Sequence, residues 1–101
     1  LRLEEAKSLI EQALALAPGD PFITDSLGWV EYRLGHPKRA LELLREAMRK
    51  QPDPEIAAHL GEVLWKLGEH ASARDAWRAG LRLKRDNATL NSTLKRFGVR
   101  L

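Results

Sequence analysis

Three polar residues stand where a metal site could form. Glu55, His59 and Glu62 fall at i, i+4 and i+7, which places them on one face of a helix, and carboxylates with an imidazole are donors that divalent ions accept. Only one of the three is an imidazole, and no second helix offers an obvious further ligand. The cluster therefore reads as a solvated polar face that meets a partner. Ser8, Ser26, Ser72 and Ser92 have no His and Asp spaced to join them in a nucleophilic arrangement. The chain has no glycine-rich phosphate loop, no nucleophile elbow and no His-Glu-x-x-His. Neither catalysis, nor a cofactor, nor a small-molecule substrate is expected.

A second set is basic. Arg74, Arg78 and Arg82 stand at i, i+4 and i+8 on one helical stripe, with Lys84, Arg85, Lys95, Arg96 and Arg100 nearby. The net charge is +3, but residues 71–101 hold 8 cationic side chains against 2 acidic, while residues 1–50 balance at 8 against 8. Such a stripe suits RNA, anionic lipid headgroups or an acidic protein. No aromatic residue alternates with these arginines to stack on bases, which disfavours nucleic acid and makes a solvated outer face the simplest reading.

The elements that carry these residues are helices, and they repeat. Leu60-Gly61, Leu67-Gly68, Ala73 and Gly80 recur 33 residues after Leu27-Gly28, Leu34-Gly35, Ala40 and Ala47. Ala6, Ala13 and Pro18 precede Ala40, Ala47 and Pro52 by 34. Each unit is two amphipathic helices joined by a tight turn, as at Gly35-His36. Mid-helix glycine costs about 1 kcal/mol against alanine, so Gly28 and Gly61 mark places where a neighbouring helix comes too close for a side chain. Asp20-Pro21 and Asp53-Pro54 supply N-caps with proline at the first helical position. His36-Pro37 is a weaker version, Asp86-Asn87 offers a cap without proline, and Gly98 is placed to stop the last helix.

With Pro21 as position 1, the unit has Leu at 7, Gly at 8, an aromatic at 12, Gly at 15, Ala at 20, Leu at 24, Ala at 27 and Pro at 32. In these eight positions and in its period it resembles a tetratricopeptide repeat. The resemblance implies an all-α fold, a right-handed superhelical stack of antiparallel helix pairs. Residues 1–20 would be the second helix of a truncated repeat, 21–53 and 54–87 full repeats, and 88–98 a capping helix. Family members line a concave groove with positions 2, 5, 9, 12 and 13 of each first helix. Here these are Phe22, Asp25, Trp29, Tyr32 and Arg33, then Glu55, Ala58, Glu62, Trp65 and Lys66, with Ser26 and His59 beside them at position 6. Trp29 is expected to face solvent, whereas Tyr32 and Trp65 divide between core and groove. The Lys and Asn clamp by which some members grip a terminal carboxylate is absent, since positions 5 and 9 are Asp25 and Trp29, then Ala58 and Glu62. The resemblance implies a protein partner, a peptide or helix held by aromatic burial and charge matching.

Two departures from the family pattern carry structural expectations. Glu31 stands where a large apolar residue is usual, as Leu64 is one repeat later, and is expected to reach solvent at the rim. Thr24 and Ala57 replace an early aromatic, and the space is expected to be loose or filled by neighbours such as Trp77. More narrowly, DSLGWVEYRLG and PDPEIAAHLGEVLWKLG are similar to the last repeats of proteobacterial outer-membrane lipoproteins, a resemblance that implies the bacterial periplasm or outer membrane, with the cytoplasm as the alternative. Some of these act as adaptors for a carboxyl-terminal-processing protease. A purely structural cap of a longer array is the remaining alternative.

The chain has no cysteine, hence no disulfide or thiolate site, and no apolar run near the roughly 18 residues that span a bilayer. At 101 residues it is one domain of modest core. It begins at a turn position without an initiator Met, which reads as a fragment of a longer array. Leu3, Ala6, Leu9, Ile10, Ala13, Leu14 and Ala17 mark an amphipathic first helix whose own partner helix is missing, leaving apolar surface for self-association. Light scattering is expected to detect association of the 101-residue chain that a Leu9→Glu change abolishes.

Overall fold

An acidic or amide cap begins three of the six helices among the described residues, two of them with proline at the first position, and glycine stands in the hairpin turns. The structure, a computed structural model, describes residues 2–101. Its helices are α1 (Leu3–Leu16), α2 (Pro21–Arg33), α3 (Pro37–Lys50), α4 (Pro54–Lys66), α5 (His70–Leu83) and α6 (Ala88–Phe97), with no strand among the described residues. Asp20 accepts from the amides of Phe22 and Ile23 at 2.9 and 3.0 Å, and Asp53 accepts from those of Glu55 and Ile56 at 2.9 and 3.2 Å. Asn87 caps α6 through the Leu90 amide at 2.9 Å. These bonds satisfy donors that a helix start otherwise leaves unpaired. His36 precedes α3 without a side-chain cap bond.

The two hairpin turns are alike. Gly35 and Gly68 hold φ of +89° and +86°, in the left-handed region that glycine enters without a Cβ penalty. His36 N–H then donates to the Glu31 carbonyl and Glu69 N–H to the Leu64 carbonyl, both at 2.9 Å, which closes the ends of α2 and α4. Each reversal lets the next helix run back along the last, giving the pairs α2 with α3 and α4 with α5.

The chain forms two compact units, residues 1–51 and 52–101. In the first, α2 packs on α3 through Gly28, where an added Cβ would lie 2.9 Å from Leu44 Cγ. Thr24 is buried and returns its hydroxyl to the Asp20 carbonyl at 2.8 Å. Helix α1 lies against α2, yet none of its residues is fully buried, and Leu9 and Leu16 are 62% and 89% exposed.

In the second unit the indole of Trp77 rests on α4 at Gly61. The ring is wholly buried, and its Nε1–H donates to the Ala58 carbonyl at 3.2 Å. A Cβ on Gly61 would collide with ring atoms Nε1 and Cδ1. Ala57 is equally buried, but its space is taken by α5 and α6: a Cβ on Gly80 would sit 2.8 Å from Ala57 Cβ and 2.9 Å from Leu90 Cδ2. The packing at Ala57 is therefore tight rather than loose, and Trp77 fills the adjoining ground at Ala58 and Gly61.

Gly61→Ala is expected to destabilise the second unit despite alanine's higher helix propensity, because an overpacked core costs about 1–3 kcal/mol against about 1 kcal/mol gained. Urea unfolding followed by circular dichroism should show a lower midpoint for Gly61→Ala than for Gly28→Ala, whose neighbour Leu44 can shift more readily than a hydrogen-bonded indole.

Candidate protein-binding faces

On the first unit, the face of α2 is aromatic with polar edges. Phe22 is 51% exposed, an unusual position for a large aromatic side chain. Trp29 and Tyr32 pack together with ring centroids 5.1 Å apart and an interplanar angle of 37°, a tilted pairing that adds to their area burial. Both are half-buried, so Trp29 does not stand free in solvent as its sequence position suggests; its neighbour Tyr32 covers part of it. Asp25 is buried, while Ser26 and Arg33 are exposed, with the Ser26 hydroxyl donating to the Phe22 carbonyl at 3.0 Å.

On the second unit, α6 lies along α4 and engages much of the corresponding face. Thr89 Oγ1 donates to Glu55 at 2.8 Å, and Arg96 reaches Glu62 at 2.7 Å. Glu62 is buried, which corrects the reading of Glu55, His59 and Glu62 as a solvated face: α6 removes one carboxylate from water and supplies the cation it then requires. His59 is half-buried, and among the described residues no group of three or more His, Cys, Asp or Glu side chains converges as a metal site would require.

Trp65 is half-buried at the centre of a ring cluster. His70 stacks on it at 3.8 Å and 13°, Trp77 lies 5.7 Å away, Phe97 lies 6.2 Å away, and the Arg74 guanidinium sits 5.2 Å over the ring. Lys66 and Arg96 in turn stand over Phe97 at 5.7 and 5.3 Å. These are cation–π distances. Thr89, Arg96 and Phe97 were absent from the expected site, although a signal for two of them existed. Glu55 with Thr89 and Glu62 with Arg96 are each 34 residues apart, so equal positions of successive first helices lie side by side.

The basic stripe divides. Arg74 folds over Trp65, whereas Arg78, Arg82 and Arg85 line a shallow depression with Leu81 and Leu101. Arg78 approaches Asp75 at 3.5 Å with about half of its side chain exposed.

Paired helices, small residues at their crossings and a recurrent first-helix face define a helical-repeat interaction protein. A family model for the tetratricopeptide repeat matches residues 26–88, and the chain belongs to that family. It is 51% identical over 61 residues to TPR repeat-containing protein PA4667 of Pseudomonas aeruginosa, a match that takes in 60% of this chain. It is 38% identical over 89 residues to human tetratricopeptide repeat protein 7A, covering 87% of this chain. In both cases the chain spans about 10% of the relative's length. Among solved structures, the TPR domain of Sgt2 from Aspergillus fumigatus superposes with a TM-score of 0.83 at 19% identity, over 95% of this chain and 66% of that one. A MamA structure, MSR-1 C2, does so with 0.69 at 21% identity, over 95% and 58%. The fold is the all-α tetratricopeptide-repeat solenoid, whose members are typically non-enzymatic interaction modules.

Glu31 also departs from its expected place at the rim. It is 6% exposed, with Nδ1 of His36 at 2.9 Å and Nζ of Lys7 at 3.4 Å. The His36 hydrogen bond holds the Glu31 carboxyl below its ordinary value of 4.5, burial opposes this, and the Lys7 charge adds to the lowering. The depressed folded-state pKa means that Glu31 contributes stability above pH 4.5 and loses it as pH falls through the folded value. Glu31→Gln should therefore lower the unfolding free energy at neutral pH by about 1–3 kcal/mol, seen as a lower urea midpoint, and flatten the acid-side decline measured below pH 4.5.

Proposed function

We propose that this chain is a non-enzymatic protein-interaction module that holds a partner peptide or helix on its first-helix faces. The observation that carries the reading is Phe22, a half-exposed aromatic ring on the α2 face that also bears the Trp29–Tyr32 pair and the exposed Arg33. Aromatic rings bury large area at low entropic cost, and a charge at their edge sets the register of what binds. On the second unit, α6 already engages Glu55 and Glu62, and His70, Arg74 and Phe97 pack on Trp65, which leaves the exposed Lys66 as the principal contributor, with the half-buried His59 and Trp65 beside it. Family membership supports a protein as the partner. Service as a periplasmic lipoprotein adaptor for a carboxyl-terminal-processing protease is the narrower form, supported by the resemblance of the Asp25–Gly35 and Pro52–Gly68 segments to such lipoproteins. Nucleic acid is not the favoured ligand, because the aromatic rings nearest the basic residues are packed against α5 and α6.

Affinity capture on the immobilised chain should recover a protein partner that Phe22→Ala with Trp29→Ala releases, while Arg82→Gln with Arg85→Gln retains it. Circular dichroism must show both variants folded. Retention by the aromatic variant would remove the α2 face from the reading.

A further inference from the structure

The depression at the end of α5 has a composition that its own fold does not account for. Arg78, Arg82 and Arg85 fall at i, i+4 and i+7 and line one concavity whose other walls are Leu81 and Leu101. Arg78 and Arg82, four residues apart on α5, repel one another, Arg85 joins them from the turn beyond the end of that helix, and compensation within the chain is thin. Arg78 has only the exposed Asp75, at 3.5 Å, and Arg82 and Arg85 have no carboxylate within ion-pair distance among the described residues. The contrast within the unit is plain, since Arg96 is matched to the buried Glu62.

The side-chain types narrow the ligand. A guanidinium presents a planar fork that fits a carboxylate through two hydrogen bonds, which a lysine cannot do. Leucines in the walls favour an aliphatic group entering between those forks. No aromatic side chain lines the depression to stack on a base, and a concavity receives a protruding side chain better than the plane of a bilayer. We propose that this depression is a second binding site, for an acidic protein segment that inserts an aliphatic side chain between flanking carboxylates. It shares no residue with the α2 and α4 faces, so the two sites can fail independently.

Fluorescence anisotropy tests this with a labelled peptide in which one leucine is flanked by glutamates, beside its counterpart with every glutamate changed to glutamine. The chain should bind the acidic peptide, Arg82→Gln with Arg85→Gln should weaken binding about tenfold, and the glutamine peptide should bind the unaltered chain equally poorly. Phe22→Ala with Trp29→Ala should leave this affinity unchanged. Equal binding of the two peptides, or indifference to the arginine substitutions, would overturn the proposal. So would tighter binding of a single-stranded oligonucleotide or a phosphatidylglycerol vesicle under the same salt. Sedimentation gives the remaining arm: self-association abolished by the arginine substitutions would assign the depression to a second copy of the chain instead.

Discussion

An indole ring laid on a bare turn of helix organises the second unit. Trp77 can reach α4 only because Gly61 carries no side chain, and its N–H finds the Ala58 carbonyl at the point of closest approach. Once the ring is there, other distances follow. Trp65 and Phe97 lie within ring-contact range of it at 5.7 and 5.9 Å. Gly80 closes on Ala57 one turn further along α5, and Leu90 of α6 fills the remaining corner. The first unit solves the same problem with Leu44 on Gly28, a softer aliphatic contact at the equivalent crossing.

The division between what the sequence revealed and what it hid follows from the range of the forces involved. Caps, turns and close crossings depend on residues near one another in the chain or on a fixed period. Asp20, Asp53, Gly35, Gly68 and Gly61 accordingly could be read directly. Polar partnerships depend on which helices become neighbours. Glu31 looked like a rim residue because nothing near it in a helical wheel announces Lys7, one helix earlier, or the ring of His36 beyond the turn. Glu62 misled in the same way, although there the repeat itself held the answer: the 34-residue offset that identifies the family also predicts that Arg96 will stand beside it.

Burying Glu31 and Glu62 has opposite consequences for the surfaces around them. Glu31 is satisfied by side chains from α1 and the hairpin turn, away from Phe22 and Arg33, so the α2 face keeps its exposed ring and charge. Glu62 is satisfied by α6, whose arrival also draws Glu55 to Thr89 and closes Phe97 on Trp65. The two units thus present different faces from closely similar hairpins, one open and aromatic, the other largely committed to its own last helix. Charge follows the same division, because most of the second unit's acidic groups are engaged locally while several of its arginines are not.

The seam between α4 and α6 also bears on how such an array can grow. Tandem duplication lengthens a repeat protein by setting a copy of a unit beside its parent, so each residue meets its own duplicate. A second copy of residues 54–87 inserted before α6 would leave the last copy paired with Arg96 and Thr89 but would create a new seam at which Glu62 meets another Glu62 and Glu55 another Glu55, adding two carboxylate repulsions with no cation between them. Thr89 and Arg96 make α6 chemically unlike the first helices before it, and that difference restricts duplication across this seam.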